Sequence, residues 1–176
     1  DLLITYANDA HRLYHNRGDG RFTDVTPAAG LGGEGEVGGP ATVLDFDRDG
    51  RPDIYLGYFG NYVLGVFPTL ARRNNNASND RLFRNLGAWR FAEVTQSAGI
   101  DNRGWSQAIT HTDFDGDGWQ DVIAGNDFGV NKYWRNLGDG RFADVAAQLG
   151  TDKPSYTMGI GLADLNGDEL PDAYIS

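Results

Sequence analysis

The sequence has no cysteine, one methionine, six prolines, and only 15 basic residues against 25 acidic ones. The missing cysteine excludes a disulfide framework, thiolate metal sites and cysteine nucleophiles. A formal charge of −10 repels phosphate backbones and anionic lipid, which argues against nucleic-acid partners. No apolar run approaches the roughly 18 residues of a membrane span, so membrane insertion is not expected, and the first residues do not read as a secretory leader. No stretch carries a helical period. Nor does any legible spacing suggest a Ser-His-Asp set, a phosphate-binding glycine loop or a paired-glutamate centre. What is abundant is glycine, 25 of 176 residues, clustered between short alternating apolar runs as in a chain of strands and tight turns.

Internal repetition organises the rest. Asp45-Phe-Asp-Arg-Asp-Gly-Arg-Pro-Asp53 recurs as Asp113-Phe-Asp-Gly-Asp-Gly-Trp-Gln-Asp121, and again as Asp164-Leu-Asn-Gly-Asp-Glu-Leu-Pro-Asp172. A second element alternates with it: Asn16-Arg-Gly-Asp-Gly-Arg-Phe-Thr-Asp-Val25, Asn85-Leu-Gly-Ala-Trp-Arg-Phe-Ala-Glu-Val94 and Asn136-Leu-Gly-Asp-Gly-Arg-Phe-Ala-Asp-Val145. The acidic elements start 68 and 51 residues apart, whereas each Asn-x-Gly element precedes the next acidic one by 29, 28 and 28. The difference places an insertion of about 17 residues near 61–77 in a unit of about 51.

Each unit reads as four strands. The first enters the acidic loop (41–45, 108–113, 159–164) and the second leaves it (54–58, 122–125, 173–175). The third and fourth form a hairpin (81–85 with 90–94, 132–136 with 141–145), where Gly-Asp-Gly supplies the positive φ of a tight turn. Four-stranded units repeating near 50 residues match blades of an all-β propeller better than a sandwich or solenoid. Asp1 aligns with the ninth position of an acidic loop, so the strand count is three, four, four and two. The chain is expected to be one propeller segment, with units of about 1–52, 53–120 and 121–171, out of a longer ring.

The acidic loop carries the chemistry. Three short carboxylates on alternate residues, folded by a glycine turn, present hard oxygens to one centre, which suits Ca²⁺ with its six to eight oxygen ligands. No histidine or cysteine in the loops favours zinc. An EF-hand is excluded: its twelfth position needs glutamate, and here it holds Leu56, Ala124 and Ile175 inside apolar strands. Side chains at positions 1, 3, 5 and 9, with the carbonyl at 7, are the expected ligands of up to three Ca²⁺. They are Asp45, Asp47, Asp49 and Asp53 with Arg51; Asp113, Asp115, Asp117 and Asp121 with Trp119; and Asp164, Asn166, Asp168 and Asp172 with Leu170. The third loop is the weakest, with one carboxylate fewer and Glu169 in place of the turn glycine. Eleven of the 25 acidic residues are accounted for in this way.

The loop together with Asn-x-Gly-Asp-Gly-x-Phe-x-[Asp/Glu]-Val resembles the FG-GAP/VCBS repeat, the blade of integrin α-subunit propellers. Leu13-Tyr-His-Asn-Arg-Gly-Asp-Gly-Arg-Phe-Thr-Asp-Val-Thr-Pro-Ala-Ala-Gly-Leu31 is similar more particularly to the cartilage-acidic-protein and ASPIC/UnbV group. The resemblance implies a seven- or eight-bladed propeller, calcium in the loop between a blade's first two strands, and a secreted, surface or periplasmic setting. Gly-Ala-Trp at 87–89, Asn166 and the insertion depart from the pattern.

The expected function is a calcium-stabilised binding or adhesion module that meets a protein or glycan partner, with no catalytic residues. The insertion is its foremost contact. Self-association through uncovered blade flanks is a further expectation. The alternative is the propeller of a polysaccharide lyase, with Arg72, Arg73, Arg103 and His111 as its loose candidates. Arg17-Gly18-Asp19 spells an integrin-recognition tripeptide but reads as a structural turn. Asn76-Ala-Ser78 is a glycosylation sequon in an exposed stretch. His11, His15 and His111 share no repeat position and read as surface residues, and Trp89, Trp105, Trp119 and Trp134 read as blade packing.

Overall fold

The computed structural model describes residues 1–69 and 71–176; Leu70, inside the expected insertion, lies outside the described residues. Strands β1 (Leu2–Ile4), β2 (Arg12–Asn16) and β3 (Phe22–Asp24) form the first antiparallel sheet. The second is a meander of β4 (Val37–Leu44), β5 (Asp53–Phe59), β6 (Arg81–Asn85) and β7 (Phe91–Glu93). The third repeats it with β8 (Trp105–Thr112), β9 (Asp121–Asp127), β11 (Lys132–Asn136) and β12 (Phe142–Asp144). A fourth pairs β14 (Ile160–Ala163) with β15 (Asp172–Ile175). The count of three, four, four and two is as expected, and β6 and β11 match their sequence-derived bounds. One small ribbon was not foreseen: β10 (Gly129–Val130) pairs with β13 (Pro154–Ser155), next to the third sheet. A four-residue helix, α1 (Thr26–Ala29), is the one α-helix among the described residues. It is a single turn closing the fourth-strand segment, too short to leave a period in the sequence, and no helix here is long and apolar enough to cross a membrane.

These sheets stack as propeller blades because each second strand is apolar on both faces. In β5, Ile54, Leu56 and Tyr58 pack toward the first blade with Leu13, Leu31 and Phe83. The intervening Tyr55 packs toward the third blade with Val122, Ala124 and Trp134. The third blade repeats the division: Val122 and Ala124 face backward, while Ile123 packs with Tyr133, Ile160 and Ile175 against the fourth. The two-residue period of a strand therefore assigns alternate side chains to successive inter-blade cores. Close approach at the start of these cores requires glycine. A Cβ on Gly57 would sit 2.5 Å from Ile109 Cδ1, and one on the equivalent Gly125 would sit 2.3 Å from Thr157 Cγ2.

A second repeat, invisible in the sequence, fixes the opposite end of each blade. The residue just before the third strand is a buried acceptor for the backbone N–H five residues past the ninth-position aspartate. In the second blade Asp80 accepts from Tyr58 N at 2.9 Å. In the third, Asn131 Oδ1 accepts from Asn126 N at 2.8 Å. In the first, His11 Nδ1 accepts from Tyr6 N at 3.2 Å. His11 is therefore not the surface residue expected: it is buried, precedes β2, and does hold a repeat position. Its ring fills the space of a side chain at residue 38, where a Cβ would lie 2.4 Å from its Cε1, so that position is glycine. Asp80 also accepts from Tyr55 Oη (3.0 Å), Asn102 Nδ2 (2.7 Å) and Ser106 Oγ (2.9 Å), and burial pushes its carboxyl up to about 7. Trp134 Nε1 donates to Tyr55 Oη at 3.0 Å and so ties this network to the next blade.

Because Nδ1 of His11 accepts, its ring must be neutral, with Nε2–H directed to Tyr58 Oη at 3.2 Å. Burial lowers its pKa below the ordinary 6.5, opposed by Glu36 and Glu34 and assisted by Arg81. The unfolded chain then binds this proton more tightly, so the contribution to stability is present above pH 6.5 and is lost as pH falls through the lowered folded value. His11→Asn retains an acceptor, as Asn131 provides in the third blade, without the titration. The variant should be less stable throughout but show a flatter profile between pH 7 and 5 in urea melts. The two slopes should differ by at most about 1.4 kcal/mol per pH unit.

Candidate metal centre

The acidic loops occupy the same place in successive blades, between β4 and β5, between β8 and β9, and between β14 and β15. Their ninth-position aspartates are the anchors. Asp53, fully buried, accepts from Phe46 N (3.1 Å) and Asn85 N (2.8 Å), one bond to its own loop and one to the third strand. Asp121 does the same with Phe114 N (3.0 Å) and Asn136 N (2.7 Å). Asp1 accepts from Asn16 N at 2.9 Å, so its alignment with the ninth position holds in three dimensions. Asp172 accepts from Leu165 N at 2.8 Å and is half-buried in its two-stranded sheet. Burial raises Asp53 and Asp121 to about 6, with the backbone N–H groups opposing and the nearby loop carboxylates adding to the rise.

Held by that anchor, the first three acidic side chains converge. Carboxylate oxygens of Asp45, Asp47 and Asp49 lie within 4.8 Å of one another, as do those of Asp113, Asp115 and Asp117. Each is aimed by backbone N–H groups of its own loop. Asp45 accepts from Asp49 N (3.1 Å) and Gly50 N (2.9 Å), and Asp113 from Gly116 N (2.8 Å) and Gly118 N (2.7 Å). Short oxygen ligands spaced in this way suit a hard divalent cation, and three carboxylates brought together without one repel each other. Asp47 Oδ2 is itself buried. Asp53 and Asp121 stand outside these triads, their oxygens already engaged by backbone. The third loop forms no such triad among the described residues. It is exposed, Asn166 Nδ2 donates to Asp168 Oδ2 at 3.0 Å, and Glu169 is held at φ 68°, a conformation its glycine counterparts Gly50 and Gly118 adopt without strain.

Two site residues went unread in the sequence. Arg84 Nε faces Asp47 Oδ2 at 2.6 Å, without hydrogen-bond alignment, and its guanidinium reaches Asp49 at 3.5 Å. Arg135, at the same position in the third blade, contacts Asp115 at 2.5 Å and Asp117 at 3.4 Å. Arg51 adds a further contact to Asp49. The signal was the residue before each hairpin asparagine, Arg84 and Arg135, masked because the first blade has His15 there. His15 Nδ1 instead meets Asp1 Oδ1 at 2.9 Å. Neighbouring loops also touch: the Arg48 guanidinium lies 4.2 Å from the Trp119 ring centroid, and Asn136 Nδ2 donates to Phe46 O at 2.8 Å.

The other candidates separate. Trp105 and Trp134 are core residues, and Trp89 packs 4.5 Å from the His15 ring. Arg17-Gly18-Asp19 is a hairpin turn, with Arg17 N donating to Arg21 O at 3.0 Å. Asn76 is exposed, although its Oδ1 accepts from Trp105 Nε1 at 2.8 Å. Arg73 and Arg103 border one cavity, Arg72 lies over Tyr156, and His111 bonds Thr42 Oγ1 at 2.6 Å near the acidic loops, at the other end of β8.

Four-stranded antiparallel blades, each with a carboxylate loop between its first two strands, define a propeller repeat with a candidate cation site in its first turn. The chain belongs to the FG-GAP-like repeat family, which matches residues 1–56 and 113–175. It is similar to cartilage acidic protein 1 of Homo sapiens, 28% identical over 168 residues, which is 94% of this chain and 24% of that protein. The Mus musculus protein of the same name is 28% identical over 169 residues and the Xenopus tropicalis one 24% over 168, each match taking in 94% of this chain and 25% of the relative. The chain thus spans about a quarter of the length of the curated relatives it matches.

The arginine contacts carry a signed expectation. Arg84→Met removes a positive charge that partly neutralises Asp47 and Asp49, so without metal the variant should melt below the parent chain. The same change removes a repulsion toward an incoming cation, so the Ca²⁺-induced rise in Tm should exceed that of the parent. Paired melts in EDTA and in Ca²⁺ read both effects, and an equal rise in the two proteins would remove Arg84 from the site.

Proposed function

We propose that this chain is a calcium-stabilised propeller module of a secreted or surface protein, acting in binding or adhesion rather than in catalysis. The observation that carries the reading is the pair of carboxylate triads at equivalent loops of adjacent blades. In this reading Asp45, Asp47 and Asp49 hold one ion and Asp113, Asp115 and Asp117 another. The carbonyls of Arg51 and Trp119, and the remaining lone pairs of Asp53 and Asp121, complete the two oxygen shells. A third, weaker site uses Asp164, Asn166, Asp168, Asp172 and the Leu170 carbonyl. Bound Ca²⁺ neutralises clustered carboxylates and ties the first two strands of a blade, a structural role. The partner is a protein or a glycan met by the loops, foremost the insertion, where Tyr62, Val63, Leu64 and Phe67 are exposed. Self-association through blade flanks belongs to the same reading, as does a ring of seven or eight blades. A lyase reading receives no support from the placement of its four candidates at two ends of the molecule.

A thermal melt tests the metal. One site at a hundredfold excess over its dissociation constant stabilises by about 2.7 kcal/mol, about 5–11 °C in Tm for a chain of this size. Ca²⁺ should produce that rise over EDTA, Mg²⁺ a smaller one, and the double variant Asp47→Asn/Asp115→Asn little of it. An unchanged Tm in saturating Ca²⁺ would overturn the structural role.

A further inference from the structure

At the end of the blades away from the acidic loops lies a cavity of about 230 Å³. It opens at the start of β8 and the end of β9, so the length of β8 separates it from the metal loops by about 25 Å. Its floor is amide: Asn102 and Asn126 are buried and lock one another, with Asn126 Nδ2 donating to Asn102 Oδ1 at 3.0 Å and Asn102 Nδ2 to Asp80 at 2.7 Å. Its wall comes from the insertion, whose Arg73 and Asn74 border it together with Arg103 and Lys132. The wall is pinned in place, since Asn74 N donates to Phe128 O at 3.2 Å and Ala77 N to Arg103 O at 3.1 Å.

Two features of this cavity have no structural use. Asn74 is buried, its Oδ1 accepts from Thr69 N and Oγ1 at 2.7 and 2.9 Å, and its Nδ2 has no partner among the described residues. A buried amide donor left unbonded is unfavourable, and a ligand acceptor would relieve it. The charge is the other feature. In a chain of net −10, this rim gathers three cations against one carboxylate, Asp101. Lys132 is half-buried and paired with Asp144 at 2.8 Å, whereas Arg103 and Asp101 are both largely exposed and only loosely paired at 3.8 Å. Arg73 forms no ion pair among the described residues.

We infer that this cavity binds an oxyanion-bearing sugar unit of an acidic glycan, its carboxylate or sulfate facing Arg73, Arg103 and Asn74 Nδ2. The volume lies below that of drug-sized pockets and suits one small polar group or ring. Asn75 on the same wall favours a saccharide over an acidic peptide, because its exposed amide makes no hydrogen bond among the described residues and can both donate and accept, as vicinal hydroxyls require. This deepens the binding-module reading and rests on it for its partner class, while the cavity is independent of the metal loops.

The test is calorimetric binding to this chain, in Ca²⁺ and at two salt concentrations, of four probes. These are a uronate tetrasaccharide without sulfate, a sulfated uronate tetrasaccharide, a neutral tetrasaccharide and polyglutamate. At least one acidic saccharide should bind and the neutral one should not, and the acidic probe that binds identifies carboxylate or sulfate as the source. Arg73→Ala/Arg103→Ala should weaken binding at least tenfold. Asn74→Asp, which keeps the acceptor for Thr69 and removes the donor, should do the same with the fold intact by circular dichroism. Arg17→Ala/Arg21→Ala, the same charge change on a remote hairpin, should alter it less than twofold. Equal losses in the two arginine pairs, preference for polyglutamate, or no binding by any acidic saccharide would each overturn the proposal. A Ca²⁺-dependent Tm rise without saccharide binding overturns the cavity alone. Saccharide binding without that rise overturns the metal reading alone.

Discussion

The buried carboxylate at the ninth position of each acidic loop is the interaction on which the blade depends. Asp53 and Asp121 each accept one N–H from their own loop and one from the third strand. A single side chain thereby sets the shape of the loop, the register of the second strand and the docking of the third. Burying a carboxylate is unfavourable unless its oxygens are satisfied, and burial raises both aspartates to about 6 even with these bonds in place. The hairpin asparagines complete the arrangement. Asn85 and Asn136 donate their backbone N–H to the aspartate and their side-chain amides to Pro52 O and Gln120 O. What reads in the sequence as two alternating motifs is, in space, one joint.

Two consequences follow from that joint. The loop is held open at its base, so the carboxylates at positions 1, 3 and 5 converge on a common centre instead of splaying into solvent. The repulsion among them needs a counter-charge, which Arg84 and Arg135 supply in part from the third strand. Calcium would supply the remainder. The blades also become coupled at their loop ends, through Asn136 to Phe46 O and Arg48 to Trp119, as they are at the other end through Trp134, Tyr55 and Asp80. Stability of one blade is thus expected to depend on its neighbours, as in other repeat architectures.

Much of this was legible because the joint uses the same residue types in every blade. The acidic loops, the hairpin asparagines and the bounds of β6 and β11 follow from identical letters at fixed spacing, and Asp1 could be placed by alignment alone. The second joint escaped because its acceptor is His11 in one blade, Asp80 in the next and Asn131 in the third. The geometry needs only a buried lone pair, which three chemistries provide. The arginines over the carboxylates escaped for the same reason, with His15 standing at their position in the first blade. The ribbon β10–β13 is two residues long on each side, too short to leave a pattern. The cavity gathers residues from the insertion, from the turn before β8 and from the ends of β9 and β11, a grouping that no local reading of the sequence contains.

Two substitutions in one loop separate the joint from the site it holds. Asp117→Asn and Asp121→Asn differ by four positions in one loop and each removes one carboxylate. Denaturant unfolding of both, in EDTA and in saturating Ca²⁺, reads their effects on the fold and on the metal together. Asp117→Asn should leave stability in EDTA near that of the parent and lose the share of the Ca²⁺ increment that comes from its own loop, while Asp121→Asn should be destabilised by several kcal/mol in both conditions. Equal stability of the two variants in EDTA would contradict the anchoring role of Asp121.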